Sequence, residues 1–119
     1  MMQIVSTILI AVVALEHIYI LVMEMFLWTT PRVRRIFGTT KDLAEQTKVL
    51  AANQGLYNGF LAAGLLYGLV TGNFAFKWFF LLCVIVAAVY GGLSTGKPRI
   101  MIVQGLPAVL ALLALLILG

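Results

Sequence analysis

The sequence predicts an all-α protein, an integral membrane four-helix bundle. Three features lead to that expectation: the charge content, the length of the apolar runs and the placement of the basic residues. Of 119 residues, 63% are hydrophobic and 10% charged, where a soluble domain carries about 25% charged residues. A helix needs about 20 apolar residues to cross about 30 Å of hydrocarbon. Four runs approach that length: Ile4–Trp28, Val49–Val70, Phe74–Leu93 and Ile100–Leu118. They use most of the chain, so residues 1–119 are expected to form a single transmembrane domain whose lipid bilayer is its first partner.

The first run carries Glu16, His17 and Glu24 inside an otherwise apolar stretch. It lacks a basic leader, and Trp28-Thr29-Thr30-Pro31 follows where a signal peptide would have small residues for cleavage, so it reads as a retained helix. The segment 29–48 is the one substantial polar loop. Pro31 can open a short helical turn that Gly38 interrupts, and Thr39-Thr40-Lys41-Asp42 offers an N-cap for an amphipathic stretch, Leu43 to Lys48, running into the second long helix. Arg32, Arg34 and Arg35 beside Ile36 and Phe37 suit a membrane surface.

The second run combines Asn53, Gln54, Tyr57 and Asn58 with two series of small residues, Ala51, Gly55, Gly59, Ala63 and Gly64, Gly68, Gly72. Small residues four apart let helices approach closely, and two such series predict that this helix packs on more than one flank. The third run opens on an aromatic cluster and contains Cys83; one cysteine allows no intrachain disulfide. The fourth contains Gln104 and Pro107, and proline removes a helical hydrogen bond and kinks the segment.

Lys and Arg concentrate in loops on the cytoplasmic side of a membrane. Arg32, Arg34, Arg35, Lys41 and Lys48 lie in the first connection and Lys97 and Arg99 in the third, whereas the second has only Lys77. The first and third loops are therefore expected in the cytoplasm and both termini outside. The net charge of +4 is explained by topology, and no nucleic acid partner is expected.

Depth along the helices, at about 1.5 Å per residue, groups the polar residues into two layers. Glu24 would sit with Asn53, Gln54 and Gln104, and Glu16 and His17 with Tyr57 and Asn58. Ionisable groups inside a membrane usually face a protein interior or a polar pocket and mark function, so all eight are candidate binding or proton-exchange residues. Glu16 and His17 lead, because Glu24 lies near a helix end where Arg32 or Lys48 could neutralise it. No metal site and no cofactor are expected: one histidine and one cysteine make no zinc pattern, and a Glu-x-x-His spacing is missing. Gly91-Gly92-Leu93-Ser94-Thr95-Gly96-Lys97 matches part of a phosphate-binding loop, but Pro98 stands where Ser or Thr is required and an apolar helix precedes it; it reads as a tight turn.

Glu16-His17-x-Tyr19, Glu24-Met25-x-x-Trp28-x-Thr30, Phe37-Gly38 and Asn53-Gln54-Gly55-x-Tyr57-Asn58-Gly59 together resemble the bacterial "domain of unknown function 1304" family over essentially the whole chain. The resemblance implies a small four-span protein of the bacterial inner membrane and suggests that these residues are its signature; it implies no activity. A fainter likeness to the four-span membrane proteins of eicosanoid and glutathione metabolism stops at Val49–Phe60, which carries no charge where those proteins hold glutathione.

These readings favour binding or transport of a small polar or lipophilic solute with proton coupling. A structural or assembly subunit, and a membrane enzyme with His17 as general base acting on a lipophilic substrate, are the alternatives, so catalysis is left open. A path through so small a bundle would require a homo-oligomer.

Overall fold

The computed structural model describes residues 3–119 and is helical throughout, with no strand among the described residues. Five helices follow in order: α1 Gln3–Phe26, α2 Pro31–Phe37, α3 Lys41–Thr71, α4 Phe74–Thr95 and α5 Pro98–Leu118. Three of them, α1, α4 and α5, are long and apolar enough to cross a membrane. The expectation of a fourth such run is met in length, since α3 has 31 residues, but not in apolar character. Asn53, Gln54, Asn58 and four interior glycines dilute it.

The ends of the helices follow local chemistry. The first apolar run stops as a helix at Phe26, two residues earlier than expected, because the chain turns between Leu27 and Thr30. The Thr30 hydroxyl donates to the Leu27 carbonyl at 2.7 Å and accepts from the Val33 amide at 3.4 Å, capping α2, and Pro31 fills the first position, where no amide is needed. Gly38 ends α2 in the left-handed region at φ 70°, with its amide donating to the Arg34 carbonyl. The Thr40 hydroxyl then accepts from the Leu43 amide at 3.2 Å. This cap starts α3 at Lys41, eight residues before the apolar run, so the amphipathic stretch and the apolar one form a single helix. Only Gly72 and Asn73 separate α3 from α4, which Asn73 caps by accepting from the Phe76 amide at 3.1 Å.

Residues 91–97 form no phosphate loop. They are the last turn of α4 followed by Gly96, at φ 68°, whose amide donates to the Gly92 carbonyl. A side chain at Gly96 would meet nothing within 4 Å, so its cost is conformational alone. Gly96→Ala is expected to lower stability by about 1 kcal/mol, read as a modest drop in the thermal midpoint of the detergent-solubilised protein. A loss beyond about 3 kcal/mol would contradict this account of the turn.

The chain divides into two compact units, one of residues up to Glu16 with Leu61–Gly119, the other His17–Phe60. In the first, Ile10, Val13, Ala14, Leu65, Leu81, Val84, Ala108, Ala111 and Leu115 form a fully buried core. Gly64 lies under the Phe80 ring, and a Cβ at Gly68 would be 3.0 Å from Lys77 Cγ. Gly64 and Gly68 of this small-residue series therefore pack on α4, whereas a Cβ at Gly72 would meet nothing within 4 Å. Met101–Gly105 in α5 winds as a wide π turn just before Pro107, which cannot donate to the carbonyl four residues back. Gly105 lets this turn approach the Ala88 Cβ, 3.3 Å from where its own would be.

In the second unit the other small-residue series packs the early part of α3 on the later part of α1. Cβ atoms at Gly55 and Gly59 would lie 2.7 Å from Met25 Cγ and 2.6 Å from Leu21 Cδ1. Ile20, Met23 and Val33 make a small core, against which Trp28 and Phe37 pack. The Trp28 indole N–H donates to the Thr47 hydroxyl at 3.1 Å, which ties the turn after α1 to the first turns of α3.

Candidate functional site

The close crossing at Gly55 and Gly59 brings Glu24 against the polar stripe of α3. Glu24 is 2% exposed, and both of its oxygens are engaged: Gln54 Nε2 donates to Oε2 at 2.9 Å and Asn58 Nδ2 to Oε1 at 2.6 Å. Gln54 and Asn58 are four residues apart, one helical turn or about 6 Å along the axis, so the carboxylate is gripped between successive turns. Bonds to a charged acceptor contribute about 1.5–3 kcal/mol each. Burying an unpartnered charge would cost more than either contributes. Asn58 is half-buried, whereas Gln54 is exposed and reaches inward with its amide.

The other expected site residues are placed differently. Asn53 and Tyr57 are exposed, and the Tyr57 ring lies against Phe60 with centroids 6.1 Å apart. At 100° per residue, Asn53 and Gln54 point in directions 100° apart, so the four polar residues of α3 split between an inner and an outer line. His17 is fully buried. Glu16 and Gln104 belong to the other unit. Glu16 is half-buried, and its Oε1 is a buried oxygen without a hydrogen-bond partner; Gln104 is half-buried in the π turn of α5. The layers expected from depth therefore mix, because Glu24 takes one amide from each.

Glu24 bonds two amides rather than the basic loop. Arg32 instead donates through Nη2 to the Tyr19 hydroxyl at 3.2 Å, and Arg34 through Nε to the Thr29 carbonyl at 3.2 Å. Tyr19 was not among the expected site residues; its i,i+3 spacing from Glu16 was visible in the sequence, but nothing local tied it to Arg32. No three His, Cys, Asp or Glu side chains come together among the described residues. The cluster offers hydrogen-bonding chemistry: a buried carboxyl group whose two oxygens accept, and two side-chain amides that both donate and accept. Elsewhere, an open apolar groove runs along α4 past Trp78, Phe79, Leu82, Cys83, Val86 and Tyr90, a surface of the kind lipid tails cover.

The fold and this cluster define a class: an all-α protein with three membrane-type helices and a buried, amide-bound carboxylate. Within that class, the chain belongs to the family described as "Protein of unknown function (DUF1304)", whose model matches residues 11–116. It is 35% identical over 117 residues, 95% of this chain and 98% of the other, to "Uncharacterized protein YpaA" of Lactococcus lactis subsp. lactis (strain IL1403). No solved structure matches it.

Proposed function

We propose that this protein crosses a bacterial inner membrane four times and binds or carries a small polar solute at Glu24, Gln54 and Asn58, with Glu24 or His17 exchanging the coupled proton. The observation that supports this reading is the buried carboxylate whose second amide, on Gln54, belongs to an exposed residue. A solute that displaces this amide gains the carboxylate without disturbing Asn58. In its ionised form the carboxylate selects a solute bearing a positive charge or several N–H or O–H donors.

The fourth crossing follows from charge. Arg32, Arg34 and Arg35 in the first connection and Lys97 and Arg99 in the third belong on one side of the membrane. One passage of α4 then leaves Phe74 on the opposite side from Lys97, so the chain between Lys48 and Phe74 must itself cross. At about 1.5 Å per residue, the 31 residues of α3 span about 46 Å. That is enough for the crossing and for two turns, from Lys41 to Lys48, on the cytoplasmic side. Glu24, four residues before Trp28, then lies within reach of that side.

The test is thermal unfolding of the purified protein in detergent against small amines, polyamines, amino acids and sugars. A solute at about 100 times its dissociation constant stabilises by about 2.7 kcal/mol, and Glu24→Gln, which keeps the shape but not the charge, is expected to abolish that gain. If no member of the panel raises the midpoint, or if Glu24→Gln leaves the gain intact, the polar cluster only joins helices and the reading fails.

A further inference from the structure

α2 packs three arginines into seven residues, Pro31 to Phe37, and the fold decides where each one points. Val33 is 2% exposed and packs with Ile20 and Met23, while the Phe37 ring lies on Trp28 with centroids 4.9 Å apart. These two anchors fix the rotation of the short helix about its axis. Arg32, Arg35 and Ile36, at spacings of three and four, are left on its outer face, and all three are exposed.

Arg32 does not extend away from the protein. Its Nη2 donates to the Tyr19 hydroxyl at 3.2 Å, and Tyr19 lies seven residues before the end of α1, about 10 Å along the helix axis from Phe26. Tyr19 is itself exposed on the flank of an apolar helix. With α1 crossing a membrane, the guanidinium is held beside the outer wall of that helix, within about 10 Å of its end. Only one of its five N–H donors is used by Tyr19. No Asp or Glu occurs between Met25 and Lys41, and the nearby Glu24 is engaged by Gln54 and Asn58.

A guanidinium at that level needs an anion, and the planar fork of arginine matches phosphate oxygens in pairs. Phosphate from solution would meet these donors among lipid headgroups, whereas a phospholipid brings its phosphate already at that height. Its tails would run beside the exposed apolar side chains of Ile36 and Ile18. We propose that Arg32, positioned by Tyr19 and assisted by Arg35, binds the phosphodiester of an anionic glycerophospholipid.

The experiment is native mass spectrometry of the detergent-purified protein titrated with dioleoyl phosphatidylglycerol, dioleoyl phosphatidylcholine or inorganic phosphate. Phosphatidylglycerol is expected to bind at least about tenfold tighter than phosphatidylcholine, and Arg32→Ala to weaken it about tenfold, the size expected for one charge-assisted hydrogen-bonding group. Arg32→Lys should restore only part, since it keeps the charge and loses the fork. Arg99→Ala, at the other basic loop, should leave affinity unchanged. Tyr19→Phe, which removes one hydroxyl, should weaken binding about threefold and carries the test if Arg32→Ala does not fold. The assignment is overturned if Arg32→Ala and Arg99→Ala weaken binding equally, since charge alone then acts. It is also overturned if Tyr19→Phe has no effect, or if inorganic phosphate binds as well as the lipid and displaces it.

Discussion

Asn58→Leu is expected to lower the unfolding free energy by about 3 kcal/mol, the cost of leaving a buried charged acceptor without its partner. Asn58 Nδ2 lies 2.6 Å from Glu24 Oε1, the shorter of the two amide bonds, and its residue is half-buried, so water is poorly placed to substitute. Gln54→Leu should cost less, about 1 kcal/mol, because Gln54 is exposed and solvent or a lipid headgroup can take its place beside Oε2. The two variants are compared by thermal or denaturant unfolding in one detergent. Combining Asn58→Leu with Glu24→Leu should recover part of the loss, because replacing both partners by apolar groups removes the unpaired charge. Equal losses for Asn58→Leu and Gln54→Leu would show that burial does not set the strength of the grip.

Gly55→Val should be comparably damaging for a steric reason. A Cβ at Gly55 would lie 2.7 Å from Met25 Cγ, 3.1 Å from Glu24 Cβ and 3.2 Å from the Leu21 carbonyl oxygen. The methionine can swing away; the other two atoms are at or next to the backbone, so the helices must separate. Overpacking of this kind costs about 1–3 kcal/mol, and valine belongs at the upper end because its two methyl groups extend the clash. The separation also draws Glu24 away from Gln54 and Asn58, so Gly55→Val should weaken solute binding together with stability. Gly59→Ala should be milder, since its added Cβ meets only the Leu21 Cδ1 end of a flexible side chain. In membranes, close packing of small residues is a main source of helix association, so the ranking tests whether Gly55 sets the crossing. A Gly55→Val protein as stable as a Gly59→Ala protein would contradict it.

The legible parts of this protein were those decided between near neighbours in the chain. Pro31 and Gly38 bound α2, and a cap in Thr39–Asp42 starts α3, because a cap or a left-handed glycine acts within about four residues. The two small-residue faces of α3 were readable for the same reason: helical periodicity places them before any partner is known. The apolar run begins at Val49 but the helix begins at Lys41, as the cap and the amphipathic stretch running into it indicate; apolar content marks where a helix can meet lipid, not where its hydrogen bonds begin. Lys41 to Lys48 is helical and polar at once.

Glu24, Gln54 and Asn58 were legible as polar residues within long helical runs, but not as a hydrogen-bonded group. Depth along a helix is a one-dimensional measure, and it grouped Glu24 with Asn53 and Gln104 as readily as with Gln54. Basic residues near the end of α1 also made Glu24 look like part of a charged rim. Rotation about the helix axis decides which side chains meet, and the contact of Gly55 and Gly59 with Leu21 and Met25 sets that rotation. It turns Gln54 and Asn58 inward and leaves Asn53 and Tyr57 outside.

Glu24 and Arg32 show the division most clearly. By itself the sequence determined an all-α chain with membrane-type helices, their turns, and the presence of acids where acids are costly, because composition and local hydrogen bonding suffice for each. Only the tertiary structure decided that Glu24 takes its bonds from two amides and that Arg32 turns to Tyr19. Those choices depend on packing between residues 13 to 34 positions apart in the chain, which no local pattern specifies.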